Sequence, residues 1–197
     1  MLSVKDRQRY LKSHGFYKGK ITGVENKATR AAYLALQKKY MRPQDCDGVY
    51  GLDTDKVLLN LARVTKRCKN FELEEFKCDC GGRHCTGYPA YLSTQLLDNV
   101  QAVRDEFGPT RITSGLRCRP YNATLKGSIP TSEHLNGDAA DVRTLKHCET
   151  ETERLEVVEY CMTLPGVKFA YAYLPEKGRT KLEKTCTNMV QSVHMNV

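Results

Sequence analysis

The chain has 197 residues, of which 40% are hydrophobic and 27% charged, as is usual for globular proteins. No run of about 18 apolar residues is present, which excludes a membrane-spanning helix. The net charge of +8 is unevenly distributed: residues 1–67 carry 15 Lys and Arg against 6 Asp and Glu, whereas residues 68–197 carry 16 against 17. The basic first third predicts attraction to a polyanion, either nucleic acid or an anionic cell envelope.

The beginning of the chain becomes charged at once, at Lys5, Asp6 and Arg7, and has no apolar core of the kind that a signal peptide needs. We therefore expect synthesis in the cytoplasm without export through a signal peptide.

The nine cysteines are an odd number and lack the short, regular spacing of a secreted disulfide scaffold. Mostly free thiols in a reducing compartment are the expected state. The dense group Cys78, Cys80 and Cys85 is the exception and is a candidate for a structural metal site or a disulfide. Its C-x-C-x4-C spacing differs from the common C-x2-C pairs of zinc sites.

The first third of the chain predicts a small three-helix unit. Hydrophobic periodicity predicts helices over residues 4–14 and 28–40 and after Thr54. Residues 21–24 with Thr29 and residues 46–49 with Thr54 repeat at an offset of 25. Each copy joins a tight glycine turn to the start of a helix.

Five strings in this region carry a family resemblance: RQRYL (7–11), GFY (15–17), TRAA (29–32), LQ (36–37) and DGVYG (47–51). Together they resemble the peptidoglycan-binding domain that accompanies many bacterial and phage wall hydrolases. The resemblance implies a domain over residues 1–66 with peptidoglycan as its ligand. A generic helical bundle is the alternative, which the repeat alone would not exclude.

Helices and short strands alternate beyond a polar, basic segment at residues 63–70, which is predicted to be a linker. The predicted helices cover residues 92–107 and 150–163, and the predicted strands cover residues 111–113, 139–142, 167–173 and 189–196. This order predicts an α+β domain over residues 70–197, with helices packed on a small, mainly antiparallel sheet.

One string, Ser-x-His-x2-Gly-x-Ala-x-Asp from Ser132, is typical of a metal-binding loop. The interval of seven between His134 and Asp141, interrupted by Gly137, excludes an i, i+4 pair on one helix face. It predicts a loop that turns at the glycine and enters a strand. With His194 as a third ligand, the site would keep a fourth position open, as catalytic zinc sites do. Ser132 is a candidate for orienting a ligand by a hydrogen bond.

Further strings agree with this one: FELEEFKC (71–78), ITSGLR (112–117) with Asn122, SEHLNGDAAD (132–141) and VH (193–194). Residues 70–197 thus resemble the superfamily of zinc D-Ala-D-Ala carboxypeptidases and L-alanyl-D-glutamate endopeptidases, which includes phage endolysins. The resemblance implies one catalytic Zn²⁺ held by His134, Asp141 and His194. It also implies that Arg117 binds substrate and stabilises the oxyanion.

The general base is missing from the positions where relatives keep an acid, because these positions hold Gln191 and Asn196. Asp138, Glu133 and Glu183 are the remaining candidates, and Asp138 is the one that we carry forward. Asp138 could also exchange the ligand role with Asp141, although the family spacing favours Asp141.

The sequence therefore predicts a monomeric, endolysin-like zinc peptidase. It would be made in the cytoplasm of a host cell and would act on the bacterial cell wall after release, with no membrane or nucleic-acid partner. A zinc-containing wall-binding protein without catalytic activity is the main alternative, since the base is missing. Nucleic-acid binding by the basic third is weaker because no known reading motif accompanies the charge.

Overall fold

The computed structural model describes residues 1–172 and 191–197, which form helices and one small sheet. The α-helices are α1 (Val4–Ser13), α2 (Lys27–Tyr40), α3 (Leu52–Arg67), α4 (Thr94–Phe107), α5 (Arg119–Thr124) and α6 (Glu151–Thr163). The strands are β1 (Thr110–Ser114), β2 (Ala139–Thr144), β3 (Phe169–Ala172) and β4 (Val193–Asn196). The predicted α+β class is confirmed, and none of the described helices is long and apolar enough to cross a membrane.

The sequence repeat in the first third corresponds to two glycine turns, each held by a buried glutamine. The Gln8 amide donates to the Val24 carbonyl at 2.9 Å, and its oxygen accepts the N–H of Gly23. In the second copy, the Gln37 amide donates to the Val49 carbonyl at 3.0 Å, and its oxygen accepts the N–H of Gly48. The two copies therefore share a hydrogen-bond arrangement as well as a sequence pattern.

Most of the segment predicted to be a linker, residues 63–67, is the last part of α3 instead. Two of its arginines bind the start of α4 and the chain that leads into it. Arg63 donates to the Leu92 carbonyl at 2.6 Å, and Arg67 pairs with Asp98 at 2.5 Å. Buried residues of both halves belong to one continuous hydrophobic core. The boundary between residues 66 and 70 stays a prediction.

A second contact between the two halves centres on Asp55, whose side chain is buried. Its carboxylate accepts hydrogen bonds from the Leu2 N–H at 2.7 Å, the Tyr50 hydroxyl at 2.9 Å and the Tyr91 hydroxyl at 2.6 Å. Burial alone would raise the pKa of Asp55, but the hydrogen bonds from Tyr91, Leu2 and Tyr50 lower it below its usual value.

The Asp55→Asn variant is expected to be about 1–3 kcal/mol less stable at pH 7, because an amide cannot accept all three hydrogen bonds. A lowered folded-state pKa means that this contribution is complete above the unfolded value of about 3.9 and is lost as the pH falls through the folded value. Urea unfolding of both proteins from pH 7 downward should show their difference shrinking below about pH 4. A difference that stays constant with pH would contradict the ionic role of Asp55.

The sheet is antiparallel throughout, with strand order β1-β2-β4-β3. Helices α4 and α6 pack against it, and α4 buries Leu96, Leu97, Val100 and Val103. The predicted strands over residues 167–173 and 189–196 correspond to β3 and β4, although Tyr173, Met189 and Val190 lie outside the described residues. The register of these strands determines which side chains meet at the site.

Candidate metal centre

One cross-strand row brings two of the three predicted metal ligands together. Ser114 of β1 lies opposite Asp141 of β2, Asp141 lies opposite His194 of β4, and His194 lies opposite Tyr171 of β3. Directly opposite residues in antiparallel strands have neighbouring side chains on the same face. A ligand pair 53 residues apart in the chain is thus a pair of immediate neighbours in the sheet.

The third ligand, His134, comes from the short 3-10 helix Glu133–Leu135, just before β2. Its Nε2 lies 3.3 Å from His194 Nδ1 and 3.4 Å from Asp141 Oδ1. The remaining separation, from His194 Nδ1 to Asp141 Oδ1, is 2.8 Å. Ligands of a tetrahedral Zn²⁺ at 2.0–2.2 Å are separated by about 3.3–3.6 Å. Two of the three separations match this geometry, and the third would need to widen slightly.

The buried carboxylate of Asp141 favours a bound cation at this centre. The fully buried Asp141 carboxylate has two imidazoles at its first oxygen and the Arg117 guanidinium at its second, 2.7 Å away. Burial would raise the pKa of Asp141, but the charge of His134 and hydrogen bonds from His134 and His194 hold it well below its usual range. Burial lowers the pKa of His194, which keeps the ring neutral and able to bind metal.

The ring of His134 is oriented by Gly115, a residue that the sequence analysis missed. His134 Nδ1 donates to the Gly115 carbonyl at 2.7 Å, which leaves Nε2 as the metal-binding atom. A Cβ at position 115 would lie 2.6 Å from the Phe76 backbone, so only glycine fits there. Ser132 was predicted to orient a ligand, yet in the described part of the chain its hydroxyl has no hydrogen bond to this ring.

Arg117 is buried beside the ligands. Besides its bond to Asp141, its Nε donates to the Ser114 hydroxyl at 2.9 Å, and its backbone N–H donates to the His134 carbonyl at 3.0 Å. Arg117 therefore supports two of the three ligands. Among the described residues, no hydrogen-bond partner contacts its Nη1, which can bind a substrate oxygen.

The structure does not bring Asp138 to this centre. Asp138 precedes β2, which begins at Ala139, whereas Asp141 is the third residue of that strand. Burial and the charge of Glu133 raise the pKa of Asp138, and Lys168 and a hydrogen bond from Ser93 lower it. These neighbours differ from those of Asp141, which are His134, His194 and Arg117.

In the described residues, the side chains of Glu133, Gln191 and Asn196 form no hydrogen bond with the three metal ligands. Glu133 accepts a hydrogen bond from Asn136, and Gln191 donates to Glu149 at 2.8 Å. Asn196 is paired in the sheet with Ala139 and Phe169. Glu183 lies outside the described residues.

One acid near the site, Asp79, was missed by the sequence analysis. Its carboxylate interacts electrostatically with Arg117, Asp141 and His134. Loss of solvation and the neighbouring Cys78 raise the pKa of Asp79. In the sequence, Asp79 is marked by its position between two cysteines. The loop that contains it packs on the segment that carries Arg117.

A family model described as Peptidase M15 matches residues 69–169, which is just over half of the chain. The chain belongs to the peptidase M15 family. Peptidases of this family are zinc-dependent, and the matched residues include His134 and Asp141 with the geometry given above. A search of curated proteins gave no match to the chain. The expected metallopeptidase class is thus confirmed at the level of the family.

Proposed function

We propose that this M15 family member is an endolysin-like peptidase that hydrolyses peptide bonds in the stem peptide or cross-link of bacterial peptidoglycan. The observation that carries the proposal is the buried group of His134, Asp141 and His194, whose ligand atoms all lie within 4.8 Å of one another. These residues fit one Zn²⁺. When bound, Zn²⁺ lowers the pKa of a water molecule to about 7 and polarises the scissile carbonyl.

The protein's own residues supply orientation and charge. The Gly115 carbonyl fixes the tautomer of His134, and Arg117 holds the second oxygen of Asp141 in place. The remaining N–H groups of Arg117 can bind the oxygen of the scissile carbonyl and stabilise negative charge there.

Mass spectrometry of fragments released from purified peptidoglycan tests this proposal. We expect zinc-loaded protein to release peptide fragments with new amino termini, and the identity of these fragments reports which bond is cut. Intact stem peptides and cross-links after incubation with zinc-loaded, folded protein would contradict it.

The charged groups around the two acids favour Asp79 as the acid that serves the site, because Asp79 interacts with Arg117, Asp141 and His134, and Asp138 interacts with Glu133 and Lys168. We expect Asp79→Asn to lower kcat by about 100-fold or more, because general-base catalysis contributes about 10²–10⁴-fold. Asp138→Asn is the matched control and should stay within a few-fold of the wild type. Rates of amino-group release from peptidoglycan measure both variants. The reverse order of effects would assign the base to Asp138.

We further propose that residues 1–66 anchor the protein on peptidoglycan at the cell wall. The support is the basic charge of this part and the resemblance of its repeat to peptidoglycan-binding domains. Because the two halves share a core, the test uses the full chain. Lys18→Glu with Lys20→Glu, both exposed, should weaken sedimentation with purified walls several-fold at low salt.

The control for that experiment reverses two exposed lysines of the other half, Lys126→Glu with Lys146→Glu. It carries the same change in net charge. Equal loss of wall binding in both double variants would assign binding to net charge alone and would contradict an anchoring domain in residues 1–66.

A wall-binding protein without catalytic activity is the second candidate. It is favoured by Gln191, an amide at a position where relatives keep an acid, which is engaged with Glu149. Stoichiometric zinc and wall binding without release of amino groups would support this candidate over the peptidase.

A further inference from the structure

A second group of metal-binding side chains lies apart from the His134–Asp141–His194 centre. The thiols of Cys78, Cys80, Cys85 and Cys118 place their four sulfur atoms within 4.8 Å of one another. They form a small cluster of their own, separate from the main hydrophobic core. The sequence pattern indicated three of these residues, and the fold adds Cys118 from 33 positions further along the chain.

The spacing of the sulfur atoms fits a metal ion better than a disulfide. Four thiolates at about 2.3 Å from a tetrahedral Zn²⁺ are separated from each other by about 3.8 Å. The sulfur atoms of Cys80 and Cys85 are 3.5 Å apart, whereas a disulfide bond would hold them at about 2.05 Å. All four residues are free cysteines.

The surroundings of the cluster favour thiolates. The backbone N–H of Cys118 donates to the Cys78 sulfur at 3.3 Å, a bond that stabilises a negatively charged sulfur. Arg42, from the first third of the chain, is paired with Asp45 and also donates to the Gly82 carbonyl at 2.8 Å, which ties the loop to that part of the chain. Arg83 donates to the Cys80 carbonyl at 3.0 Å.

The backbone between the cysteines is shaped to bring them together. Gly81 and Gly82 both have positive φ, 63° and 78°, and turn the chain between Cys80 and Cys85. The Cys78 N–H donates to the Gly87 carbonyl at 2.8 Å and closes the loop. Regular secondary structure is absent from described residues 77–93, so this loop depends on turns and side-chain contacts for its shape.

We propose that Cys78, Cys80, Cys85 and Cys118 hold a second zinc ion with a structural role. Four protein ligands close all positions of a tetrahedral ion, as in structural rather than catalytic zinc sites. Each thiol that binds the ion releases its proton to solvent.

This ion would also support the catalytic centre. Cys118 directly follows Arg117, and the Leu116 N–H donates to the Phe76 carbonyl at 2.9 Å, two residues before Cys78. The loop therefore packs on the segment that carries Gly115 and Arg117. Loss of the ion should loosen this segment and with it the orientation of His134.

Metal analysis of the full chain tests the proposal. We expect two zinc ions per wild-type chain, one in the double variant His134→Ala/His194→Ala and one in Cys80→Ser/Cys85→Ser. Cys46→Ser is the control and should keep both, since Cys46 lies outside the cluster. One ion in the wild type that disappears in the histidine variant would overturn the proposal.

Cobalt substitution and thiol titration keep the test decisive if the cysteine variant does not fold. The histidine variant loaded with Co²⁺ should show sulfur-to-cobalt charge-transfer absorption. In a separate experiment, a mercurial titrated into wild-type protein should release one zinc ion as four thiols react. No such absorption, or a disulfide among the four cysteines in non-reducing peptide mapping, would overturn the proposal. A histidine variant that keeps its cysteine-bound ion while wild-type protein fails to cleave peptidoglycan would refute only the proposed peptidase function.

Discussion

Replacing His134 by alanine is expected to remove one bound zinc ion and to reduce peptidoglycan hydrolysis by more than about 100-fold. Loss of partners that only orient a metal ligand already costs about 10–100-fold, so loss of a ligand should cost more. The fold should persist, because the polar contacts of the ring are to Gly115, His194 and Asp141, all within the site.

The matched control is His147→Ala. His147 pairs with Glu156 at 2.6 Å and stacks on Phe107, away from the metal centre. This variant should keep its zinc and its activity. Equal activity of His134→Ala and wild type, with both proteins folded, would contradict the assignment of His134 as a ligand.

Replacing Gly137 by alanine is expected to lower the free energy of unfolding by about 3–5 kcal/mol. Two costs combine at this position. Its φ is +83°, a conformation that disfavours residues with a Cβ, and the Cβ itself would overlap the carbonyl oxygen of Tyr91. The Gly137 carbonyl also accepts the N–H of Ser93 at 2.9 Å, so a shift of this turn disturbs the start of α4.

Gly108→Ala separates the two costs. Gly108 has a φ of +79°, but a Cβ there would meet no atom within 4 Å. Its ψ of −152° lies in a region that is used almost only by glycine, so the loss should be about 1–3 kcal/mol, from the backbone conformation alone. Denaturant unfolding of both variants measures the difference. Similar losses for the two glycines would contradict the close approach of Gly137 to Tyr91.

The metal ligands could be predicted from sequence because their arrangement depends on local chemistry. His134, Gly137 and Asp141 lie within one turn-to-strand segment, and Asp141 belongs to β2. Asp138 precedes the strand, and only the folded turn shows that its neighbours are Glu133, Lys168 and Ser93. Pairing with His194 requires the register of β2 and β4, which only the folded sheet defines.

Other features depend on contacts that no local pattern records. Arg63 and Arg67 look like linker residues, but they bind Leu92 and Asp98 across the interface with α4. Gly115 acts through its backbone carbonyl, and a carbonyl leaves no signature in residue type. Cys118 joins the cysteine cluster through a long-range contact, which the spacing of the other three could not predict.

The most direct test of the central claim is zinc-dependent release of amino groups from purified peptidoglycan by wild-type protein. Hydrolysis should stop after chelation and return when Zn²⁺ is added back, while His194→Ala stays inactive in both conditions. Hydrolysis that survives complete removal of zinc, or that is unchanged in His194→Ala, would contradict a zinc peptidase site at His134, Asp141 and His194.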